Sequence, residues 1–142
     1  MALADVNTWL LIPQRSRDWM KGYGALYAIR RPADQSVLYI GQTQNMWRRL
    51  YTKRNDHEGI AYFFGEGIDY EIAYWHKPIT EQDRLIAEIE LTAQWRPWWI
   101  YDFPLEQRRE WTNRFRSQLT GRVMPRTKQT FAVQAQLLGE PA

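Results

Sequence analysis

Ala25-Leu26-Tyr27-Ala28-Ile29-Arg30-Arg31, followed after Pro32-Ala33-Asp34 by Ser36-Val37-Leu38-Tyr39-Ile40-Gly41, is the stretch on which the fold turns. Both runs are rich in Ile, Val, Leu and Tyr, and the triplet between them favours a turn, so they read as a β-hairpin. If the triplet is the whole loop, Arg31 pairs with Gln35, Ile29 with Val37 and Tyr27 with Tyr39. Directly paired side chains leave the same face with Cβ atoms about 5 Å apart, so the two phenols converge. A one-residue slip without a bulge would send them to opposite faces.

Upstream, residues 1–22 form a lead-in: a short apolar stretch ending at Pro13, then a brief helix capped by Ser16 and stopped at Gly22. Downstream, Asn45 is a suitable N-cap for Met46-Trp47-Arg48-Arg49-Leu50, with Met46 and Leu50 inward, Trp47 a further candidate for the buried side, and Arg49 at their edge. His57 to Gly67 reads as a second, shorter helix, and the alternation of Ile68, Tyr70, Ile72 and Tyr74 reads as a strand. Thr80 and Asp83 resemble a capping box opening a helix over 81–95, with Leu85, Ile89 and Thr92 or Ala93 as its buried stripe, Glu88 adjoining it, and Pro97 ending it. Pro104 precedes a last helix in which Trp111, Phe115 and Leu119 recur on one face. The expected fold is a small α+β domain: a three-stranded sheet, mixed or antiparallel, flanked by helices over 23–104, with a basic C-terminal helix and tail over 105–142.

Charge is unevenly placed. Residues 1–104 hold 12 basic and 13 acidic side chains, whereas 105–142 hold 7 basic and 3 acidic, so the basic character belongs to the C-terminal segment. A basic appendage on a near-neutral body suits a polyanionic partner. Lys53, Arg54 and Arg48, with Arg108, Arg109, Arg114 and Arg116 of the last helix, are the candidates for tracking phosphates. The absence of cysteine excludes disulfides and thiolate metal sites, and two histidines cannot build a histidine cage. Any metal is therefore expected to be a hard, oxygen-loving ion. No stretch has the apolar length of a membrane span and the N-terminus has no signal pattern, so a cytoplasmic protein is expected. The 8 Trp and 8 Tyr exceed what one small core hides, so some rings should lie on a surface.

Five features in order resemble the GIY-YIG nuclease family, across Ala25 to Ile100. Ala25-Leu26-Tyr27 stands for the first triplet and Tyr39-Ile40-Gly41 for the second. Arg49 follows Tyr39 by 10 residues, His57 opens the next helix, and Glu88 precedes Pro97 by 9 residues. Ala25 replaces a usual glycine, and Ile100 stands where an asparagine is common. The resemblance implies a metal-dependent, one-metal endonuclease acting on DNA, with branched or damaged DNA among its targets. Glu88 would hold one Mg or Mn ion, Tyr27 would act as general base or orient the water, and Tyr39 would support it. Arg49 would grip the phosphate and His57 would relay a proton, while Gly41 and Asn45 would be structural. The alternative is a catalytically weak or inactive nucleic-acid-binding module of the same fold. A single such site nicks one strand, so a double-strand cut would call for a homodimer or two events.

Overall fold

The hairpin forms, but not in the register that a three-residue loop dictates. In the structure, a computed structural model that describes residues 2–12, 18–52 and 56–120, its strands are β2 (Ala25–Arg30) and β3 (Val37–Thr43). Gln35 enters the loop in the left-handed region at φ 64°, and its N–H donates to the Arg31 carbonyl at 2.9 Å. The Arg31 N–H in turn donates to the Ser36 carbonyl at 2.9 Å. The loop is therefore one residue longer than expected, a slip that alone would part the two tyrosines. A bulge then restores the parity: Arg30 pairs with Val37 but Ile29 with Tyr39, leaving Leu38 extra, so that Tyr27 lies opposite Gly41. Tyr27 and Tyr39 end on one face, as diagonal rather than direct neighbours.

Two more strands complete an antiparallel sheet in the order β1-β4-β2-β3. β4 (Glu71–Tyr74) joins the hairpin as anticipated, with Tyr27 facing Tyr74 and Ala28 facing Ala73. The fourth strand, β1 (Leu10–Leu11), corrects the expected three. It is two exposed residues long inside the lead-in, too short to show an alternating pattern.

The face carrying Leu26, Ala28, Ile40, Ala73 and Trp75 holds the main core, against Trp9 and against Ala87 and Leu91 of α2 (Glu81–Trp95). Alanines at 28, 73 and 87 let the helix approach the sheet closely. Trp9 meets Trp95 edge-on at 5.2 Å, and their indole N–H groups donate to the carbonyls of Leu3 (3.0 Å) and Ala4 (2.8 Å). Part of the aromatic excess is thus core, and at Trp9 and Trp95 the indole N–H groups are satisfied.

Arg30 continues this face beyond the apolar core. Its Nε donates to Glu71 Oε1 at 2.9 Å across the β2–β4 pair, and its Nη1 donates to the Val6 carbonyl at 2.7 Å. Truncating one member of a buried ion pair strands the other charge. Because Glu71 is only partly buried and also accepts from Gln35 Nε2 at 3.2 Å, Arg30→Ala is expected to lower unfolding free energy by roughly 1–3 kcal/mol, read from denaturant midpoints. A loss below about 0.5 kcal/mol would mean that water screens the pair.

α2 begins at Thr80, whose hydroxyl accepts from Asp83 N–H at 3.2 Å, and ends at Arg96 in the left-handed region. Its buried stripe differs from the expected one. Arg84, Ala87 and Leu91 face inward, whereas Leu85, Ile86 and Ile89 are exposed, Ile89 at 73%. The inward face is set by polar anchoring: Arg84 donates to the Ile79 carbonyl at 3.0 Å and to Gln42 Oε1 at 3.3 Å. Its guanidinium lies where a side chain on Gly24 would be, 2.8 Å from that glycine's would-be Cβ. Counting apolar residues alone misplaces such a helix by about one position, or roughly 100°.

The chain divides into two compact units, Met1–Trp98 and Trp99–Ala142, so the division falls within the connector that precedes Pro104. In the second unit α4 (Leu105–Thr120) buries Phe115 and Thr112, with Trp111 half-buried and stacked on Phe115 at 5.9 Å. Arg108, expected to track phosphates, is instead 4% exposed, and its Nη1 donates to the carbonyls of Trp99 (2.7 Å) and Ile100 (3.3 Å). It serves the backbone of α3 (Trp98–Tyr101). Arg109 and Arg114 are exposed, Arg114 lying 5.7 Å from the Trp111 ring centre, and Arg116 is half-buried. The Ser16 cap, Lys53, Arg54, the Leu119 side chain and the tail beyond Thr120 lie outside the described residues. No helix among the described residues is long and apolar enough to cross a membrane.

Candidate active site

Tyr27 needs an empty neighbour, and Gly41 is that neighbour. A Cβ on Gly41 would stand 2.5 Å from the Tyr27 hydroxyl oxygen and 2.6 Å from Cζ, so the phenol lies across the glycine. Only glycine at the directly opposed position leaves this space. Gly59 does the same for Tyr39, whose ring lies 3.0 Å from a would-be Cβ there. The two rings are nearly parallel, 6.4 Å between centres and 13° between planes.

His57 closes the group. It is the N-cap of α1 (Glu58–Gly65), where its Nδ1 accepts from the N–H groups of Gly59 (3.1 Å) and Ile60 (3.2 Å). An atom that accepts two N–H bonds carries no proton, so the imidazole proton sits on Nε2. Nε2 is 2.7 Å from the Tyr27 hydroxyl and therefore donates to it. Burial, with Arg49 adding to the effect, holds His57 well below the usual histidine range, so the ring is neutral. Relaying a proton from Tyr27 would require Nε2 to lose its hydrogen and Nδ1 to gain one against two backbone donors. The geometry gives His57 a fixed donor role instead.

Asn45 acts as the expected cap, its carbonyl accepting from Arg49 N–H at 3.0 Å and its Oδ1 from Arg48 N–H at 3.2 Å. The segment then winds as a π-helix over Arg48–Thr52, a form common at functional sites. Met46 and Leu50 are buried beneath it, Arg48 points to solvent, and Arg49 turns towards the tyrosines. Arg49 hydrogen-bonds the Tyr27 hydroxyl; burial works against its charge, but that hydrogen bond and the Glu58 carboxylate keep it charged.

Glu88 arrives from the other side of the sheet. α2 covers the face opposite the tyrosines, but β3 is an edge strand, and the two faces meet at that edge. The Glu88 carboxylate acts electrostatically on Tyr27, Tyr39 and Arg49 there. Burial raises it to a pKa of about 7, only partly offset by Arg49. Its Oε2 is buried with no hydrogen-bond partner among the described residues.

Five residues from separate parts of the chain, Tyr27, Tyr39, Arg49, His57 and Glu88, thus converge around Gly41. Three further residues belong to the site that sequence reasoning did not single out. Gly59 is the slot for Tyr39. Arg84 lies one turn before Glu88 and reaches Gln42, next to Gly41. Glu58 is fully buried beside His57 and acts on Arg49 and both phenols. A glutamate at the first position of a helix ordinarily reads as solvated dipole-matching charge, so no signal marked it.

Burial raises the Tyr27 phenol above its usual range, opposed by the charge and hydrogen bond of Arg49. Tyr39 is raised well above that range, again by burial, with Tyr27 and Glu58 adding to it. Both are neutral phenols in this state. Compared with known proteins, the chain matched no family model, no curated sequence and no solved structure.

Proposed function

We propose that the chain is a metal-dependent endonuclease that hydrolyses DNA phosphodiesters, as its resemblance to the GIY-YIG family implies. The observation that carries this reading is the Tyr27 oxygen. It accepts one hydrogen bond from His57 Nε2–H and another from Arg49. Two donors aimed at a phenol oxygen oppose the effect of burial, which on balance still keeps the phenol protonated, and they fix that oxygen where it can orient an attacking water. Arg49 presents a fork suited to a phosphate, which would take up part of its charge as substrate enters.

Glu88 fits a hard divalent ion. A buried carboxylate oxygen without a partner is costly unless something satisfies it, and Oε2 is such an atom. Among the described residues no three His, Cys, Asp or Glu side chains gather into a cage. A single protein carboxylate, with water and substrate oxygens, is an arrangement Mg accepts. Bound there, Mg or Mn would neutralise charge developing on the phosphate. Tyr27 would orient the attacking water, or would accept the water's proton once its own phenol proton had passed to solvent as substrate and metal enter; His57 would hold the phenol oxygen in place, and Arg49 would hold the phosphate.

The experiment is nicking of supercoiled plasmid and of branched DNA in Mg or Mn and in EDTA. Wild type is expected to cut only with metal. Tyr27→Phe is expected to slow cutting by roughly 10²-fold or more, and Glu88→Ala to abolish it. The depth of Tyr27, 1% exposed, favours a second reading, a nucleic-acid-binding module of the same fold. Salt-sensitive binding by wild type with no cutting in either metal would select it.

A further inference from the structure

One surface cluster, with Trp47 half-buried and Tyr51, Lys21 and Arg48 exposed, takes no part in the chemistry above. Trp47 and Tyr51 stand on the helix that delivers Arg49, their ring centres 4.5 Å apart, with Tyr51 40% exposed. The Lys21 ammonium lies 4.8 Å from the Trp47 ring centre, and Arg48 points to solvent between the two rings in sequence. Trp19, 38% exposed, stands two residues before Lys21, in the short helical turn Asp18–Met20. It packs on Tyr74 at 5.1 Å, and Tyr74 is the direct cross-strand partner of Tyr27. Lys21 also pairs with exposed Asp18 at 3.5 Å, a contact of little energy that a phosphate can displace.

We propose that Trp47, Tyr51 and Trp19, with Lys21 and Arg48, form a platform that stacks unpaired nucleotides next to the scissile phosphate. The physical case is complementarity of two kinds. The exposed Tyr51 ring and the open part of half-buried Trp47 suit bases, and cations interleaved with rings suit the backbone between them. A base inside a duplex cannot offer its face to a ring, whereas an unpaired one can. Trp47 and Arg49 lie about half a turn apart on a helix about 10–12 Å across. That places the platform within roughly two nucleotides of the phosphate that Arg49 would hold. The substrate class implied is DNA with single-stranded character beside the cut, such as a flap, a gap or a branch. The location beside a scissile phosphate rests on the nuclease reading; the preference for unpaired nucleotides does not.

The test measures binding in EDTA, where nothing is cut. A labelled oligothymidylate and a blunt duplex of equal length are titrated with the full chain. Wild type is expected to prefer the oligothymidylate. Trp47→Ala should weaken that binding by roughly 5- to 100-fold while changing duplex binding less than about twofold. Trp47→Phe keeps a ring and should restore most of the affinity, which separates stacking from damage to the fold. Bound oligothymidylate should also quench tryptophan emission in wild type and do so much less in Trp47→Ala. Equal losses on both DNAs, or wild-type binding that ignores strandedness, would overturn the platform. The two readings fail separately: selective binding lost in Trp47→Ala without any cutting sustains the platform alone. Metal-dependent cutting with indifferent binding sustains the nuclease alone.

Discussion

Gly41→Ala is expected to reduce metal-dependent cutting by roughly 10²-fold or more, although it adds a single uncharged methyl group. The added Cβ would fall 2.5 Å from the Tyr27 oxygen and 2.6 Å from Cζ, well inside contact distance. The ring cannot yield freely. It is buried, held by His57 Nε2 at 2.7 Å and stacked beside Tyr39. Displacing it breaks the bond to His57 and withdraws the oxygen from Arg49. Overpacking of this kind also costs about 1–3 kcal/mol of stability. The double variant Gly41→Ala/Tyr27→Ala separates the two effects. Removing the ring relieves the crowding, so the double variant should be less destabilised than the sum of Gly41→Ala and Tyr27→Ala while cutting stays absent, a non-additivity typical of residues in contact. If Gly41→Ala alone cuts at the wild-type rate, the phenol position is not what catalysis depends on.

That glycine illustrates what a sequence can and cannot disclose. Tyr39-Ile40-Gly41 marks a site in the linear chain, and the spacings to Arg49 and Glu88 single out residues that do converge. The reason for the glycine is invisible there, because it depends on register, and register on a loop one residue longer than its turn signal together with a bulge at Leu38. Two errors of one residue cancel, since side chains alternate with a period of two. The shared face of Tyr27 and Tyr39 was therefore legible although their pairing was not. Helix ends were legible where side chains do the capping, as at Thr80 and Asn45. Helix faces were not legible where polar anchors prevail over apolar count. Arg84 turns α2 so that Ile89 meets water, and Arg108 turns inward to the carbonyls of α3. Glu58 shows the same limit: only the packing around His57 makes its charge part of the site.

Glu88→Gln is expected to stabilise the protein at pH 8 in the absence of divalent metal, by about 2–3 kcal/mol. The sign follows from the direction of the shift. Burial raises the Glu88 carboxyl from 4.5 to about 7 in the folded chain. Between those values the unfolded chain has lost the proton and the folded chain keeps it. Stability therefore falls as pH rises through this window and levels off above it. The difference in pKa corresponds to roughly 3 kcal/mol, moderated because the carboxyl is only partly withdrawn from water. Glutamine keeps the shape and carries no charge, so the component of the pH profile between about pH 4.5 and 7 should vanish in the variant. Metal supplies the complementary measurement. Mg or Mn binds the ionised carboxylate of the folded state, so added metal should raise the wild-type melting temperature at pH 8 and leave Glu88→Gln unmoved. Below pH 6 the ion competes with a proton, and its stabilising effect should shrink by about tenfold in apparent affinity per pH unit. Parallel pH profiles for the two proteins would show that Glu88 is solvated and unperturbed. A wild type that loses stability with pH but ignores metal would leave a buried carboxylate with no ion to hold, and with it the strongest physical ground for the binding-module reading.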